Sequence, residues 1–176
     1  ELEQRYDNLD CFVMKENLGY GKANNFGIKK SQTKYIFILN PDVALPNEKF
    51  EKIINELKDE SFAIASPVEK SNANILGSKK IFEVNEVKGF AMIIDREVAL
   101  STPFDENIFL YLEEIDMCNR VRENNGRILL VNIEIDHLGG ASHGNKDDFE
   151  MEKSRNWHWM WSKFYYFHKN SNYIFA

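Results

Sequence analysis

Three groups of polar residues sit at the ends of apolar runs in this chain, and their types suit metal and proton chemistry. Asn40 and Asp42 follow the apolar run of residues 35–39 in "YIFILNPDV". Glu113, Glu114 and Asp116 open the helical stretch "EEIDMCNRV", and His137 precedes the glycine pair of "HLGGASHGN". Each has an ordinary structural role when taken alone. An Asp after Asn-Pro bonds backbone N–H groups in a turn, and acids in a first helical turn complement the helix dipole. Asp116 and Arg120, four residues apart, can form an ion pair on a helix face. A histidine in a loop is most often unremarkable. In chain order, however, a strand-end oxygen ligand, a carboxylate pair and an imidazole make a site for a divalent cation and a general base. A hard cation such as Mg²⁺ takes few protein carboxylates and completes its shell with water and substrate phosphates. One Asp is then enough if the ligand is a diphosphate.

These residues need elements to hold them at one edge. Tyr35 to Leu39 read as a strand buried on both faces, as inside a parallel sheet. Pro41 ends it, having no N–H for the ladder, so Asp42 falls at the carboxyl edge, where open α/β sheets bind ligands. Upstream, "ELEQRY" looks like the interior of a helix, and "CFVMK" (residues 11–15) like a strand that runs on to Gly19. In the helix "YGKANNFGIKKSQ", Ala23, Phe26 and Gly27 share one side while Lys29 and Lys30 lie outward. In "LPNEKFEKIINELKDE", Phe50, Ile53, Ile54 and Leu57 fall at i, i+3, i+4 and i+7, with Pro46 near the helix start. Residues 62–68 form another strand, and strand-helix alternation to this point predicts a parallel α/β arrangement. A polar stretch, 69–80, reads as irregular or hairpin-like. A strand from Phe90 to Ile94 follows, introduced by Gly89. The helix from Glu113 to Asn124 carries Ile115, Cys118 and Val121 on its apolar stripe and stops at Gly126. "ILLV" (128–131) is a strand, residues 137–145 are a glycine-rich loop, and the aromatic tail from residue 150 is helical.

Bulk composition narrows the function classes. The 176 residues, 43% hydrophobic and 28% charged, suit one soluble domain. A net charge of −6 with scattered basic residues argues against nucleic acid as a partner. Cys11 and Cys118 lack metal-like spacing, which fits a reduced, cytoplasmic protein. No apolar run approaches the ~20 residues that span a bilayer, and no signal peptide is visible.

Five segments resemble successive signatures of family 2 glycosyltransferases. They are "ENLGYGKANNFGI", "YIFILNPDV", "VKGFAMIIDRE", "FDENIFLYLEEIDMCNRV" and "IDHLGGAS", in the family's order and spacing from about Asn17 onward. The nearest group is the bacterial rhamnosyltransferase-like one. The resemblance implies a GT-A fold, an α/β architecture with a Rossmann-like mixed sheet flanked by helices, here over residues 1–146, with an aromatic helical segment at 147–176. It implies transfer of a sugar from a UDP- or dTDP-sugar donor to a hydroxyl on a glycan or lipid-linked acceptor, with a divalent metal, Mg or Mn. Asp42 takes the place of the family's metal-binding DxD-type motif, with Asn40 standing for the other acid and His137 near the metal and diphosphate. Asn17, Gly19, Gly21 and Asn24 match the loop beside the nucleotide, where small residues let backbone approach a ligand; a strand-to-helix turn explains them equally well. Gly89 and Phe90 match the strand start lining donor sugar and acceptor. Glu113 and Glu114 match the family's Glu-Asp pair, whose second member is usually the base. Glu114 holds that position but is a methylene longer than Asp, which leaves Glu113 as the alternative.

The family mostly inverts the anomeric centre, so one carboxylate, Glu114 first, would take the acceptor proton. The tail has three readings: core or lid packing, an interfacial helix on a membrane such as the inner face of a cell membrane, or a dimer surface. GT-A domains begin with a strand, a helix and a strand, whereas this chain enters just after them. That predicts an N-terminally truncated domain with an open apolar edge beside residues 35–39, which could pair with another copy. A non-catalytic binding or assembly remnant of a transferase is the competing reading.

Overall fold

Residues 91–95, "AMIID", alternate sides strictly, and that alternation organises the molecule. Met92 and Ile94 enter one apolar cluster while Ala91 and Ile93 enter another. A strand that buries both faces must lie between two layers of cover, and this one does. The computed structural model describes residues 6–70, 77–138 and 148–170. Among these, the strands are β1 (Tyr35–Leu39), β2 (Val43–Ala44), β3 (Ile64–Glu69), β4 (Ile81–Glu83), β5 (Ala91–Asp95) and β6 (Ile128–His137). The helices are α1 (Tyr20–Lys30), α2 (Asn47–Leu57), α3 (Arg96–Ser101), α4 (Glu113–Glu123) and α5 (Asp148–Asn170).

The sheet runs β1-β5-β3-β6-β2, with β4 also on β6. Only β3 and β6 are parallel; β5 is antiparallel to both β1 and β3. The sheet is therefore mixed, and the purely parallel arrangement expected from strand-helix alternation does not hold. The physical reason is β5, which inserts between β1 and β3 with reversed direction. One face of the sheet is covered by α1, α3 and α4 through Ile28, Ala99, Met117, Cys118 and Val121. Ile53 and Leu57 of α2 cover the other.

Several local expectations change. Residues 11–15 form no strand: they have no ladder partner among the described residues, and Val13 is 94% exposed. Phe12 instead packs edge-on to Phe26, their centroids 5.2 Å apart. The β1 strand is not buried on both faces. It bonds to β5 alone among the described strands, and Ile38 is its one buried residue. An apolar run therefore marks an edge strand here, and the open edge expected beside residues 35–39 is present among the described residues. The packed face of α1 is Gly21, Asn25 and Ile28, while Ala23 and Gly27 are exposed. On α2, Ile53 and Leu57 are buried, whereas Phe50 and Ile54 are about 40% exposed. Ile115 is half-buried, its place in the α4 stripe taken by Met117.

The short α3 was not foreseen; Asp95 caps it by accepting from the N–H groups of Glu97 and Val98. β2 and β4 were also missed, both being too short to show a pattern. β6 runs ten residues rather than four. Its register against β3 jumps after Pro67, which cannot donate to the ladder, so Val68 pairs with Glu134. The extension makes His137 the last residue of a strand and not part of a loop. Cys11 is exposed, Cys118 is buried, and no disulfide joins them. The expected helix at "ELEQRY", the 139–145 part of the glycine-rich loop and the boundary at residue 146 lie largely or wholly outside the described residues.

Candidate active site

Strand direction decides which ends meet. β1, β3 and β6 finish, and the antiparallel β5 begins, at the same edge of the sheet. That edge collects Asp42, Glu69, His137 and the Gly89–Phe90 dipeptide. Val43 pairs with His137 across β2 and β6, which sets Asp42 beside the imidazole. The Leu138 N–H donates to the Asp42 carbonyl at 3.0 Å and locks this register. Asn40 contributes through its backbone, its N–H bonding the Phe90 carbonyl at 2.9 Å.

His137 lies between two carboxylates. Its Nδ1 is 3.2 Å from Glu69 Oε1, and its Nε2 is 3.3 Å from Asp42 Oδ1. Phe90 stacks on the ring, with centroids 5.0 Å apart and planes 13° from parallel, so the imidazole has little freedom to turn. A neutral imidazole has one N–H. With that proton on Nδ1 toward Glu69, Nε2 presents a lone pair beside the lone pairs of Asp42. Two such donors facing each other at 3.3 Å fit a divalent cation between them, with Glu69 orienting the ring as a carboxylate behind a ligating histidine does. Asp42 and His137 leave the remaining positions to water or a ligand, and no closed set of three or more ligands exists among the described residues. A cavity of about 350 Å³ opens beside His137, lined by Glu69, Lys70, Asp136 and Leu138. Lys88 reaches Glu69 at 2.5 Å and Lys70 reaches Asp136 at 3.0 Å, so cations balance the acids around the cavity.

The second group adjoins the first through Gly89. A Cβ on Gly89 would come 3.2 Å from the Tyr20 hydroxyl, a tight approach, and 3.6 Å from the Glu114 Cβ, an ordinary contact, so Gly89 lies against both residues. Tyr20 donates its hydroxyl proton to the Gly89 carbonyl. Tyr111 and Leu112, both with φ near +70°, make the turn that starts α4. Bulky residues in this left-handed region cost about 1–3 kcal/mol each, and the turn they make points the first residues of α4 toward Gly89. Glu113 is buried and its Oε2 has no hydrogen-bond partner among the described residues. Burial, followed by repulsion from Glu114, pushes its carboxyl up to about 8. Burial also raises the half-buried Glu114 above the usual carboxylate range, with Glu86 adding repulsion. Burial and the two glutamates together raise the Tyr20 phenol, which stays a proton donor.

The remaining expected site residues have local partners. Asn17 accepts from the Gly19 N–H at 3.0 Å. Gly19, at φ 77°, packs so tightly on the Phe109 carbonyl that any Cβ would overlap it, and Tyr20 N–H bonds that carbonyl at 3.0 Å. Gly21 sits against Phe104, and Asn24 bonds the Tyr20 carbonyl within α1. These four positions thus shape the turn into α1 and its contact with the 104–109 segment. Asp116, 1% exposed, pairs with Arg120 at 2.8 Å and Lys169 at 2.7 Å.

Sequence reasoning missed Glu69, Tyr20 and Asn25. Glu69 was findable by the logic applied to Asp42, an acid closing an apolar strand, but Lys70 after it reads as the start of a solvated loop. Asn25 clamps Phe104 with both ends of its amide, at 2.9 and 3.0 Å, and nothing in its neighbours signals that role.

Comparison with known proteins bears on the fold and the family. The chain is similar to the minor teichoic acid biosynthesis protein GgaB of Bacillus subtilis (strain 168), with 24% identity over 174 residues that take in 89% of this chain. It spans about a fifth, 19%, of that relative's length. The fold resembles the crystal structure of GalNAc-T7 with UDP, GalNAc and Mn²⁺, at a TM-score of 0.60 and 11% identity. That match covers 72% of this chain and 31% of the other, and it establishes the mixed-sheet GT-A architecture. The model of glycosyl transferase family 2 matches residues 1–110, which hold the Asp42 strand end, Glu69 and Gly89. The chain therefore belongs to glycosyl transferase family 2.

Proposed function

We propose that this chain carries the donor-diphosphate edge and the acceptor base of a transferase that moves a sugar from a nucleoside-diphosphate donor to a hydroxyl acceptor. The observation that carries the reading is the convergence of Asp42, Glu69 and His137 with the Glu113–Glu114 pair on either side of Gly89–Phe90. Asp42 and His137 would hold a divalent cation, Mg or Mn, which when bound supplies charge neutralisation for the departing diphosphate. Lys70 lines the same cavity, paired with Asp136, and Lys88 pairs with Glu69 at its wall.

Glu114 is the general base. It is half-buried beside Gly89, so an acceptor hydroxyl can reach it, and its raised carboxyl is better matched to proton transfer near neutral pH than an ordinary one. Glu113 is deeper, and in its protonated form adds no second negative charge next to the base. Tyr20 fixes the Gly89 carbonyl and so holds the backbone between the two halves. Attack from the face opposite the diphosphate would invert the anomeric centre. The five sequence blocks support a bacterial rhamnosyltransferase-like donor preference. The likeness to GgaB, a minor teichoic acid biosynthesis protein, supports a glycan or lipid-linked acceptor. One observation favours a second reading, an assembly domain without turnover: β1 leaves one edge open among the described strands.

Release of nucleoside diphosphate from a panel of UDP- and dTDP-sugars, with Mn²⁺ or Mg²⁺ and small glycan acceptors, tests this. Acceptor-dependent release lost in Glu114→Gln is expected. Metal-dependent donor binding without turnover for any acceptor would favour the assembly reading.

A further inference from the structure

Side-chain contacts of the C-terminal helix gather on one stretch of the chain. Ser162, fully buried, donates its hydroxyl to the Leu110 carbonyl at 2.6 Å. His158 stacks on Phe109 with centroids 4.3 Å apart, and Trp159 meets the Tyr111 ring edge-on at 5.6 Å. Farther along, Tyr165 donates to Asp105 at 3.0 Å and Lys169 bridges Asp105 and Asp116 at 2.7 Å each. Asn119 donates to the Tyr166 hydroxyl. These partners all lie within residues 105–119, the segment that carries Glu113 and Glu114. Residues 158, 162, 165, 166 and 169 recur at helical spacing, so one side of α5 faces that segment.

In the middle of the segment stand Tyr111 and Leu112, at φ 71° and 70°. Side chains other than glycine hold that left-handed conformation only where their surroundings impose it. The turn does not stabilise itself in the way the start of α3 does. Asp95 caps α3 with its own carboxylate, whereas Leu112, at the same place before α4, has no side chain able to cap. The start of α4 must therefore be fixed from outside.

It is fixed from both flanks. Before the turn, the Phe109 carbonyl accepts from the Tyr20 N–H on the α1 side at 3.0 Å, while α5 takes the Phe109 ring, the Leu110 carbonyl and the Tyr111 ring. After the turn, the Asp116 N–H bonds the Leu112 carbonyl at 2.9 Å. The Asp116 carboxylate, 1% exposed, is tied to Arg120 and to Lys169 of α5. Glu113 and Glu114 sit between these two anchors, with Glu114 against Gly89. Without the Ser162 hydroxyl, the peptide that precedes Tyr111 loses that donor, and the strained turn can relax and carry the first residues of α4 with it.

We propose that α5 is the outer clamp of this turn: Ser162, His158 and Trp159 are positioning residues that hold Tyr111 and Leu112 left-handed and so set Glu114 against Gly89. The effect on turnover rests on the transferase reading above; the effect on the turn does not. The test measures hydrogen–deuterium exchange and sugar transfer on the same preparations of the purified chain. Ser162→Ala should speed exchange at the start of α4, led by the Asp116 amide, and leave the paired β3 and β6 protected. Turnover should fall about tenfold or more, within the roughly 10²-fold that a 1 Å misplacement costs, while nucleoside-diphosphate affinity stays the same. Adding Leu112→Gly to Ser162→Ala should recover part of the turnover, because glycine takes the left-handed region without strain. Should Ser162→Ala expose the whole sheet, His158→Ala at a half-buried position repeats the test and should open the same amides alone. Unchanged exchange at the start of α4 in the folded variant would overturn the proposal, and so would unchanged turnover or a loss that the glycine does not relieve. A wild-type chain that transfers no sugar would sink the transferase reading, and the exchange result would then decide the clamp by itself.

Discussion

The two acidic groups at the sheet edge are close in space and opposite in electrostatic design. At Asp42, Glu69 and His137, each acid has a cationic or titratable neighbour within hydrogen-bonding or ion-pair distance, and solvent reaches the cavity. At Glu113 and Glu114, a buried and a half-buried carboxyl lie side by side, and one Glu113 oxygen has no hydrogen-bond partner among the described residues. Acids with such partners at an open cavity suit binding of a cation and, through it, a diphosphate. Uncompensated acids hold on to protons and suit proton transfer. Gly89 and Phe90 stand between the two groups and touch both, which brings binding and transfer within one backbone step of each other.

The comparison can be broken one residue at a time. Glu114→Gln should lower turnover by about 10²–10⁴-fold, the range for loss of a general base, with nucleoside-diphosphate affinity unchanged in a binding titration. In the wild type, turnover should rise with pH through the raised carboxyl value of Glu114. Equal losses of affinity and turnover would move Glu114 into the binding half.

Glu113→Gln should change stability more than catalysis. Its folded carboxyl titrates at about 8 against an ordinary 4.5. Between those values the folded chain binds more protons than the unfolded one, so stability falls as pH rises. The wild type should lose on the order of 3 kcal/mol from this group between pH 4.5 and 7, a slope that urea unfolding of the Gln variant would lack. Glu114 contributes in the same direction, so part of the slope should remain.

Glu69→Gln should leave the fold intact and weaken Mn²⁺ affinity by about 10–100-fold, as loss of an outer partner of a metal-bound histidine does. An unchanged affinity would mean that Glu69 serves only Lys88. The smallest effect is expected away from the edge. Lys169→Met removes the ammonium shared by Asp105 and Asp116, and Asp105 is held down to about 2 with help from that contact. A loss of about 1 kcal/mol in thermal unfolding is expected, because Arg120 still pairs with Asp116.

Much of this frame was legible in the sequence. The cores of β1, β3 and β5, the span of α4 and the strand-end position of Asp42 follow from apolar runs, a proline stop and helical spacing. What was not legible is pairing. The same apolar pattern served β5, buried on both faces, and β1, an edge strand, because burial depends on neighbours remote in sequence. Residues 11–15 look like a strand by composition yet have no partner. His137 was read as a loop residue because the strand beyond "ILLV" carries Asn132, Glu134 and Asp136, which point away from the core. Glu69 became a site residue only once β3 and β6 were seen to run parallel and end together.

The central claim is that Asp42 and His137 form a cation-dependent seat for a nucleoside diphosphate. Calorimetric titration of the chain with UDP and dTDP, with and without Mn²⁺ and repeated on Asp42→Ala, tests it most directly. Binding that requires Mn²⁺ in the wild type and disappears in Asp42→Ala is the expected result. Binding of equal strength without metal, or unaffected by the substitution, would contradict it.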